Sequence, residues 1–486
     1  MLGLTDISAA FDKVWHNGLI AKLSQIGIDG YFLNFFKSYL TNRKQCVIVD
    51  GVKSDFLDVK AGVPQGSRLG PLLFIIYIND IINDIESDIM IFADDTTLLA
   101  SGDDPAITAL QLNRDLLKIS NWAKKWKVTF NPNKSKDMIF SSKYLNNSPP
   151  LILNNSFIER VNIHKHLGVF LNSNLEWTKQ IHQTCLRANQ KLAVLRRIKF
   201  LDRKSLDLLY KVIIRSIIDY ALPIYANTLK MDEIARLERI QYQAAKLVTG
   251  ALHFTSKDKL NTELGWESIK KRIDFLGLCL FQKMRLHLTR PLVRKFMPKF
   301  DWNNDQRTRS KGGYLPYDNF GKKYLNSFFP YMTKLWNNLP PNIKCKDIND
   351  FKYFLKLELK PPKTKHFSKG SKYGNSLLTR LRVGQSELNL HKFSVGLVEK
   401  PDCACHEKQE STKHYLLDCF LYTTERQKLF SLVEHYIPKF KGLSKAAKLN
   451  LLLYGLKTND PDFDHLNFIL TKAVQMFLIQ TKRFSK

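Results

Sequence analysis

Two adjacent aspartates, Asp94 and Asp95, interrupt an otherwise apolar passage, IFADDTTLLA, at residues 91–100. The runs on either side read as short strands, so the pair falls at the mouth of a hairpin with like charges side by side. Such a pair costs free energy unless a cation neutralises it, and Mg²⁺ is the hard, oxygen-seeking candidate. A third carboxylate, Asp6, closes a short apolar run at the start of the chain. Three carboxylates from two neighbouring strands could hold two Mg²⁺ ions. One ion would activate an attacking hydroxyl and the other would stabilise a leaving pyrophosphate oxygen. Taken alone, an Asp-Asp dipeptide is more often a solvated turn.

The pair has company about thirty residues earlier, in AGVPQGSRLGPLLF. Gly62 and Gly66 permit backbone conformations that bring amides close to a ligand, and Pro64 stiffens the loop between them. Gln65 could reach an incoming nucleotide, although the same segment also reads as an ordinary helix-entry loop. A second constellation, CACHEKQESTKHYLLDC, lies near the C-terminus. Cys403, Cys405, His414 and Cys419 could form a tetrahedral Zn²⁺ site, with His406 as a rival ligand. Its C-x-C opening is tighter than the usual C-x₂-C, and reduced structural cysteines beside a surface histidine are the alternative.

DISAAFD, GVPQGSRLGPLLFIIYIND and FADD occur in this order and at this spacing. They closely resemble the palm motifs of reverse transcriptases, in the wording of the non-long-terminal-repeat (LINE-type) retrotransposon polymerases. The similarity continues at decreasing strength through NPNKSKDMIF, HKHLGVFL, LERIQYQAAKLVTG and FFPYMTKLWNNLP. It implies Asp6 and Asp94 as the principal metal ligands, assisted by Asp95. Phe11 matches the bulky side chain that excludes a ribose 2′-hydroxyl, and Gln65 and Gly66 match the loop that packs on nucleotide and template. Lys134 resembles a lysine that protonates or neutralises pyrophosphate. His166, Leu167 and Gly168 match the hairpin that grips the primer end, where backbone matters more than the imidazole; His164 reads as incidental.

The implied activity is RNA-directed DNA polymerisation during target-primed reverse transcription. A primer 3′-hydroxyl attacks a dNTP between two Mg²⁺ ions, and the partners are an RNA template and a DNA primer or target. Many such polymerases carry a C-terminal Cys/Cys/His/Cys cluster, which favours a structural, nucleic-acid-binding Zn²⁺ site here. Family members also carry a fingers region ahead of the first aspartate, so a chain opening at Met1 reads as N-terminally truncated. The second reading is therefore a catalytically inactive remnant that only binds RNA or DNA.

The elements that must position these residues follow from periodicity. Leu19, Ile20, Leu23 and Ile26 repeat at helical spacing, as do Phe32, Phe35, Phe36, Tyr39 and Leu40. QCVIVDGVKSDFLDV reads as two strands about an Asp-Gly turn, and Ile119, Trp122, Ala123 and Trp126 predict a further amphipathic helix. The expected fold class is α+β: an antiparallel palm sheet flanked by helices, then a mostly helical thumb and a helical C-terminal region. The expected division is palm over 1–175, thumb over 176–255, a basic connection over 256–365 and the Cys/His region over 366–486. RSKGGYLPYDNFGKKY and KPPKTKHFSKGSKYGN are the linker candidates.

Charge points the same way. The 486 residues carry a net +30, yet the first hundred hold 8 Lys/Arg against 12 Asp/Glu. An acidic opening before a strongly basic body suits an acidic site with a polyanion-binding surround. Basic, aromatic-interleaved stretches such as LRRIKFLDRKSLDLLYK suit a thumb that tracks duplex phosphates. No apolar run reaches the roughly 18–20 residues of a membrane span. The 7 cysteines, with no signal peptide, predict a reducing compartment, nucleus and cytoplasm. Cys46, Cys185, Cys279 and Cys345 read as scattered, buried apolar residues.

Overall fold

The computed structural model describes residues 1–140, 148–301, 313–314, 321–344, 346–359, 370–456 and 461–484. The chain divides into two compact units, Met1–Trp177 and Thr178–Lys486.

The first unit is built on a sheet of five strands. These are β1 (Leu2–Thr5), β2 (Asp88–Phe92), β3 (Asp95–Leu99), β4 (Lys136–Met138) and β5 (Glu159–Arg160), in the order β5-β4-β1-β3-β2. All neighbours are antiparallel except β4 and β5. β1 has only four residues, all of them buried. It holds its place because both of its edges are paired, Leu2 facing Leu99 on one side and Met138 on the other.

Alternation along the strands sends side chains to two different layers. Gly3 and Leu98 face a large core shared with α1 (His16–Gln25), α3 (Leu69–Ile78) and α4 (Pro105–Lys125). On the opposite face, Leu2, Leu4 and Met138 pack with Leu99, Val161 and Leu171. Asp6 continues the parity of Leu2 and Leu4, so it belongs to this second, thinly covered face.

α4 starts where the sequence provides an N-cap, with Asp104 accepting from the Ala106 amide at 2.7 Å and Pro105 at the first helical position. The helices are tied together by Lys22, which is 4% exposed. Its ammonium lies 2.5 Å from Asp80 and 3.7 Å from the centre of the Trp126 ring, and the Trp122 indole donates to Asp80 at 2.9 Å. Burial pulls the pKa of Lys22 down, partly offset by Asp80.

The sequence "VDG" turn forms as expected. Ile48 pairs with Lys53 and Val49 with Val52, around Asp50 and Gly51 at φ 49° and 83°. α2 (Gly30–Leu40) also forms, but its aromatic face is largely uncovered, with Phe32 67% exposed.

The second unit is almost wholly helical. Its main helices are α5 (Thr178–Arg197), α6 (Arg203–Leu209), α7 (Met231–Thr249), α8 (Lys257–Leu264), α9 (Ile269–Leu286), α10 (Phe328–Asn337), α11 (Ile348–Leu359), α12 (Lys372–Arg382), α13 (Thr423–Tyr436), α14 (Lys445–Tyr454) and α15 (Pro461–Gln480). α7 realises LERIQYQAAKLVTG and stops at Gly250 in the left-handed region, φ 66°. The three regions expected beyond residue 176 all fall inside this one unit. They meet at a buried ionic cluster. Glu263 Oε1 on α8 accepts from Arg203 on α6 at 3.0 Å and from Arg382 on α12 at 2.5 Å, with Thr379 Oγ1 at 3.2 Å.

The expected α+β class stands; among the described residues, the strands lie in the first unit apart from a short pair, Phe300–Asp301 with Gly313–Tyr314. Arg203, read as part of a phosphate-tracking surface, is instead buried against Glu263, while Arg196, Arg197 and Lys204 remain exposed. Cys185 and Cys279 are buried as expected, but Cys46 is only half-buried, because it lies in a two-stranded ribbon with no layer packed over it. Cys345 and most of both linker candidates lie outside the described residues. Among the described residues, no helix is long and apolar enough to cross a membrane.

Candidate active site

Strand register brings the three carboxylate residues to the same end of the sheet. β1 and β3 pair Thr5 with Thr96, and the Thr5 hydroxyl donates to the Thr96 carbonyl at 3.1 Å. The pairing ends there, so Asp6 follows β1 at the same end of the sheet where Asp95 begins β3. Ala93 and Asp94 form the two-residue turn between β2 and β3, where Phe92 pairs with Asp95 and Ala93 is held at φ 52°. A non-glycine residue in the left-handed region costs about 1 kcal/mol, which the hairpin's pairing sustains.

The electrostatics of this corner are unbalanced. Burial, then the charge of Asp94, pushes the Asp95 carboxyl above its ordinary pKa. Asp6 adds to the rise, while His166 and His164 oppose it. Asp6 Oδ1 is buried without a hydrogen-bond partner, and Lys134 Nζ approaches it only to 3.8 Å from a side chain 65% exposed. A carboxylate oxygen without a hydrogen bond, in the field of two further carboxylates, marks a corner that would attract a hard divalent cation.

Lys134 reaches Asp6 because the NPNKSK turn is hydrogen-bonded to it. The Asn131 amide donates to the Asp6 carbonyl at 2.9 Å, and the Asp6 amide reaches Ser135 Oγ at 3.4 Å. Ser135 Oγ in turn donates to the Asn131 carbonyl at 2.8 Å, closing the turn.

The glycine loop lies against the turn that follows β1. Phe11 sits on a short helical turn, Ala10–Asp12, half-buried and stacked on Phe74 with ring centres 4.9 Å apart. Gly62 donates to the Val14 carbonyl and Val63 to the Phe11 carbonyl, each at 2.8 Å. The Gly62 carbonyl takes a hydrogen bond from His16 Nε2 at 2.8 Å, which fixes that imidazole tautomer. At φ 93°, with backbone atoms of Phe11 and Asp12 only 2.9 Å from where a Cβ would lie, only glycine fits at 62. Gln65 and Gly66 are exposed beyond it.

His166, Leu167 and Gly168 form the end of a hairpin between β6 (Ile163–His166) and β7 (Val169–Asn172), with Leu167 and Gly168 at φ 45° and 81°. Leu171 packs on the same sheet face as Leu4, which places the hairpin over the side that carries Asp6. His166 Nε2 lies 3.5 Å from Thr97 Oγ1 on β3. Burial lowers the pKa of both His164 and His166, and His164, set aside on sequence grounds, interacts electrostatically with Asp95 as His166 does.

In the second unit, Cys403, Cys405, His414 and Cys419 are all buried, and their ligand atoms lie within 4.8 Å of one another. The Cys403 and Cys419 sulfurs are 3.7 Å apart, and Cys405 Sγ is 3.1 Å from His414 Nε2. Two thiolates each about 2.3 Å from a tetrahedral Zn²⁺ would be about 3.8 Å apart, close to the separation of the Cys403 and Cys419 sulfurs. His406 is exposed and stands outside the group.

The backbone supports this arrangement. His406 N donates to the Cys403 carbonyl at 2.9 Å, making a tight knuckle. A π-helical turn, His414–Asp418, carries His414 into the site. The buried Arg426 donates to the carbonyls of Leu416 and Cys419 at 3.0 and 2.6 Å. Without a bound cation, burial drives the Cys403 thiol up to about 12 and raises Cys419 as well. Arg426 and the Asp12–Gln65 contact described below were not anticipated from the sequence, because each pairs groups with no shared motif spacing.

With this geometry in place, comparison with known proteins is informative. Residues 2–186 match the family model described as reverse transcriptase (RNA-dependent DNA polymerase). The chain is 28% identical over 321 residues to the RNA-directed DNA polymerase from mobile element jockey of Drosophila melanogaster, covering 63% of this chain and 34% of that protein. It is 32% identical over 270 residues to the probable RNA-directed DNA polymerase from transposon X-element of the same fly, covering 53% and 29%. A Pol polyprotein from the type-1 retrotransposable element R2 of Popillia japonica is 24% identical over 221 residues, covering 39% and 36%. The chain thus spans about a third of the length of these relatives.

Residues 2–186 are thus similar to the reverse transcriptase family of nucleotidyltransferases. The relatives it resembles are polymerases of mobile elements of the non-long-terminal-repeat, LINE type.

Proposed function

We propose that this chain extends a DNA primer on an RNA template by adding dNTPs, in the manner of target-primed reverse transcription. The observation that carries the reading is the placement of Asp6, Asp94 and Asp95 at one end of the sheet, electrostatically coupled, with Asp6 Oδ1 lacking a hydrogen-bond partner. These three residues would hold two Mg²⁺ ions, which when bound would lower the cost of charge on the attacking 3′-oxygen and the departing pyrophosphate.

The protein's own groups do the rest. Phe11, backed by Phe74, would close the space beside the sugar and reject a 2′-hydroxyl. Gln65 and Gly66 would pack against the nucleotide and template. Lys134 would place a proton and a positive charge at Nζ near the leaving oxygens. The His166–Gly168 hairpin would hold the primer end over the Asp6 face. Catalysis in such a site is positioning and preorganised electrostatics.

In this reading the palm spans 1–175, a thumb 176–255, a basic connection 256–365 and the Cys/His region 366–486. The net +30 charge suits phosphate binding along the body. Cys403, Cys405, His414 and Cys419 would hold a structural Zn²⁺, and the setting would be nucleus and cytoplasm. The second reading, an inactive remnant that binds RNA or DNA, shares the basic body but assigns no use to the three carboxylates. A primed RNA template, dNTPs and Mg²⁺ separate the two. Extension by the unaltered protein, lost in Asp94→Ala, supports the polymerase; retained nucleic-acid binding without extension supports the remnant.

A further inference from the structure

Gln65 does not stand alone on its loop. Its side-chain Nε2 donates to Asp12 Oδ1 at 2.9 Å, across 53 residues of sequence. A carboxylate can only accept, so the NH₂ end of the carboxamide must face Asp12. The Gln65 Oε1 is thereby turned away, available as an acceptor. Asp12 is the last residue of the turn that carries Phe11, and that turn is clamped to the glycine loop by the hydrogen bonds from Gly62 to Val14 and from Val63 to Phe11. The backbone of Asp12 lies 2.9 Å from the position a Cβ on residue 62 would take, so the two segments touch.

We propose that Asp12 is a positioning residue for nucleotide selection: it holds the Gln65 carboxamide in one orientation and couples it to the turn that presents Phe11. The ligand is a deoxynucleoside triphosphate, met by the outward carbonyl oxygen of Gln65 on one side and the Phe11 ring on the other. This rests on the polymerase reading, in which Gln65 meets the nucleotide. It goes further by giving the second aspartate of DISAAFD a task separate from metal binding. The pair is solvent-exposed, so its contribution to folding is small and its effect is on orientation.

Two measurements test it. In the first, side-chain amide resonances are recorded on the full chain labelled with ¹⁵N-glutamine, and Gln65 is assigned through Gln65→Ala. Asp12→Ala is expected to shift the Gln65 amide, and Asp12→Asn, whose carbonyl oxygen accepts the same N–H, to leave it nearly in place. An unmoved resonance in Asp12→Ala overturns the proposal whether or not the protein polymerises.

The second is steady-state dNTP incorporation on a primed RNA template. Asp12→Ala should raise the KM for dNTP roughly fivefold with kcat little changed. Asp12→Asn should recover most of that loss, and Asp12→Ala should add nothing in a Gln65→Ala background. Additive losses, or a fall in kcat at constant KM, overturn the proposal. Absence of incorporation by the unaltered protein counts against the polymerase reading instead, and the amide resonance still decides the role of Asp12.

Discussion

Replacing Glu263 with glutamine should unfold the second unit at markedly lower temperature. Glu263, Arg203 and Arg382 have side chains only 5%, 8% and 1% exposed, and the single carboxylate answers both guanidiniums. Burial alone would raise the Glu263 pKa, but Arg382 and Arg203 overcome it and hold the carboxyl below its ordinary value. The neutral carboxamide of Glu263→Gln would keep the shape while removing the carboxylate that faces both buried guanidiniums. Breaking a buried pair in this way costs about 3–5 kcal/mol. For a unit of this size, at about 2 °C per kcal/mol, the midpoint should fall by about 6–10 °C.

The pH dependence follows with a definite sign. A carboxyl with a depressed folded pKa contributes stability that is full above its unfolded value near 4.5 and is lost as pH falls through the lowered folded value. Glu263→Gln should therefore abolish that part of the acid transition. Thermal melts followed by circular dichroism between pH 3 and pH 8 make the measurement. A triple replacement of Arg203, Glu263 and Arg382 by methionine should recover most of the stability, because an apolar set needs no countercharge. A midpoint shift below about 2 °C in Glu263→Gln would refute the reasoning, since the cluster would then not be desolvated.

Other expectations concern the site itself. Asp95 is raised above its ordinary pKa, so its ionised form costs stability at neutral pH when no cation is bound. Asp95→Asn should raise the melting point of the Mg²⁺-free protein by about 1–3 °C while removing incorporation, as calorimetry and extension assays would report. Gly62→Ala, at φ 93° and with backbone 2.9 Å away, should cost about 2–3 kcal/mol in chemical denaturation and raise the KM for dNTP. Elemental analysis should find about one Zn²⁺ per chain, lost together in the double variant Cys403→Ser and Cys419→Ser.

Local patterns made much of this molecule legible before the fold was known. The Asp94–Asp95 hairpin, the Asp50–Gly51 turn and the helices α1, α2 and α4 each follow from spacing and turn chemistry within a dozen or so residues. The CACHEK cluster was legible for the same reason, and the fold chose His414 over His406 by burying one and exposing the other.

What stayed hidden depends on contacts between distant residues. Lys22 and Arg203 look like two more of the chain's 75 basic residues. Their burial becomes apparent only when Asp80 and the Trp122–Trp126 pair, or Glu263 and Arg382, arrive from elsewhere. The exposed aromatic face of α2 is the converse case: helical spacing predicts a helix but cannot say what covers it. Likewise the four residues of β1 look too few for a strand until β3 and β4 pair on both sides.

Asp6, Asp94 and Asp95 are expected to act as one cation-dependent polymerising site. Primer extension on an RNA template, titrated with Mg²⁺ and repeated with Asp94→Ala, addresses it most directly. Template-dependent dNTP incorporation should rise with Mg²⁺ and fall by at least about a thousandfold in Asp94→Ala. Incorporation that persists in Asp94→Ala, or that ignores Mg²⁺, would contradict it.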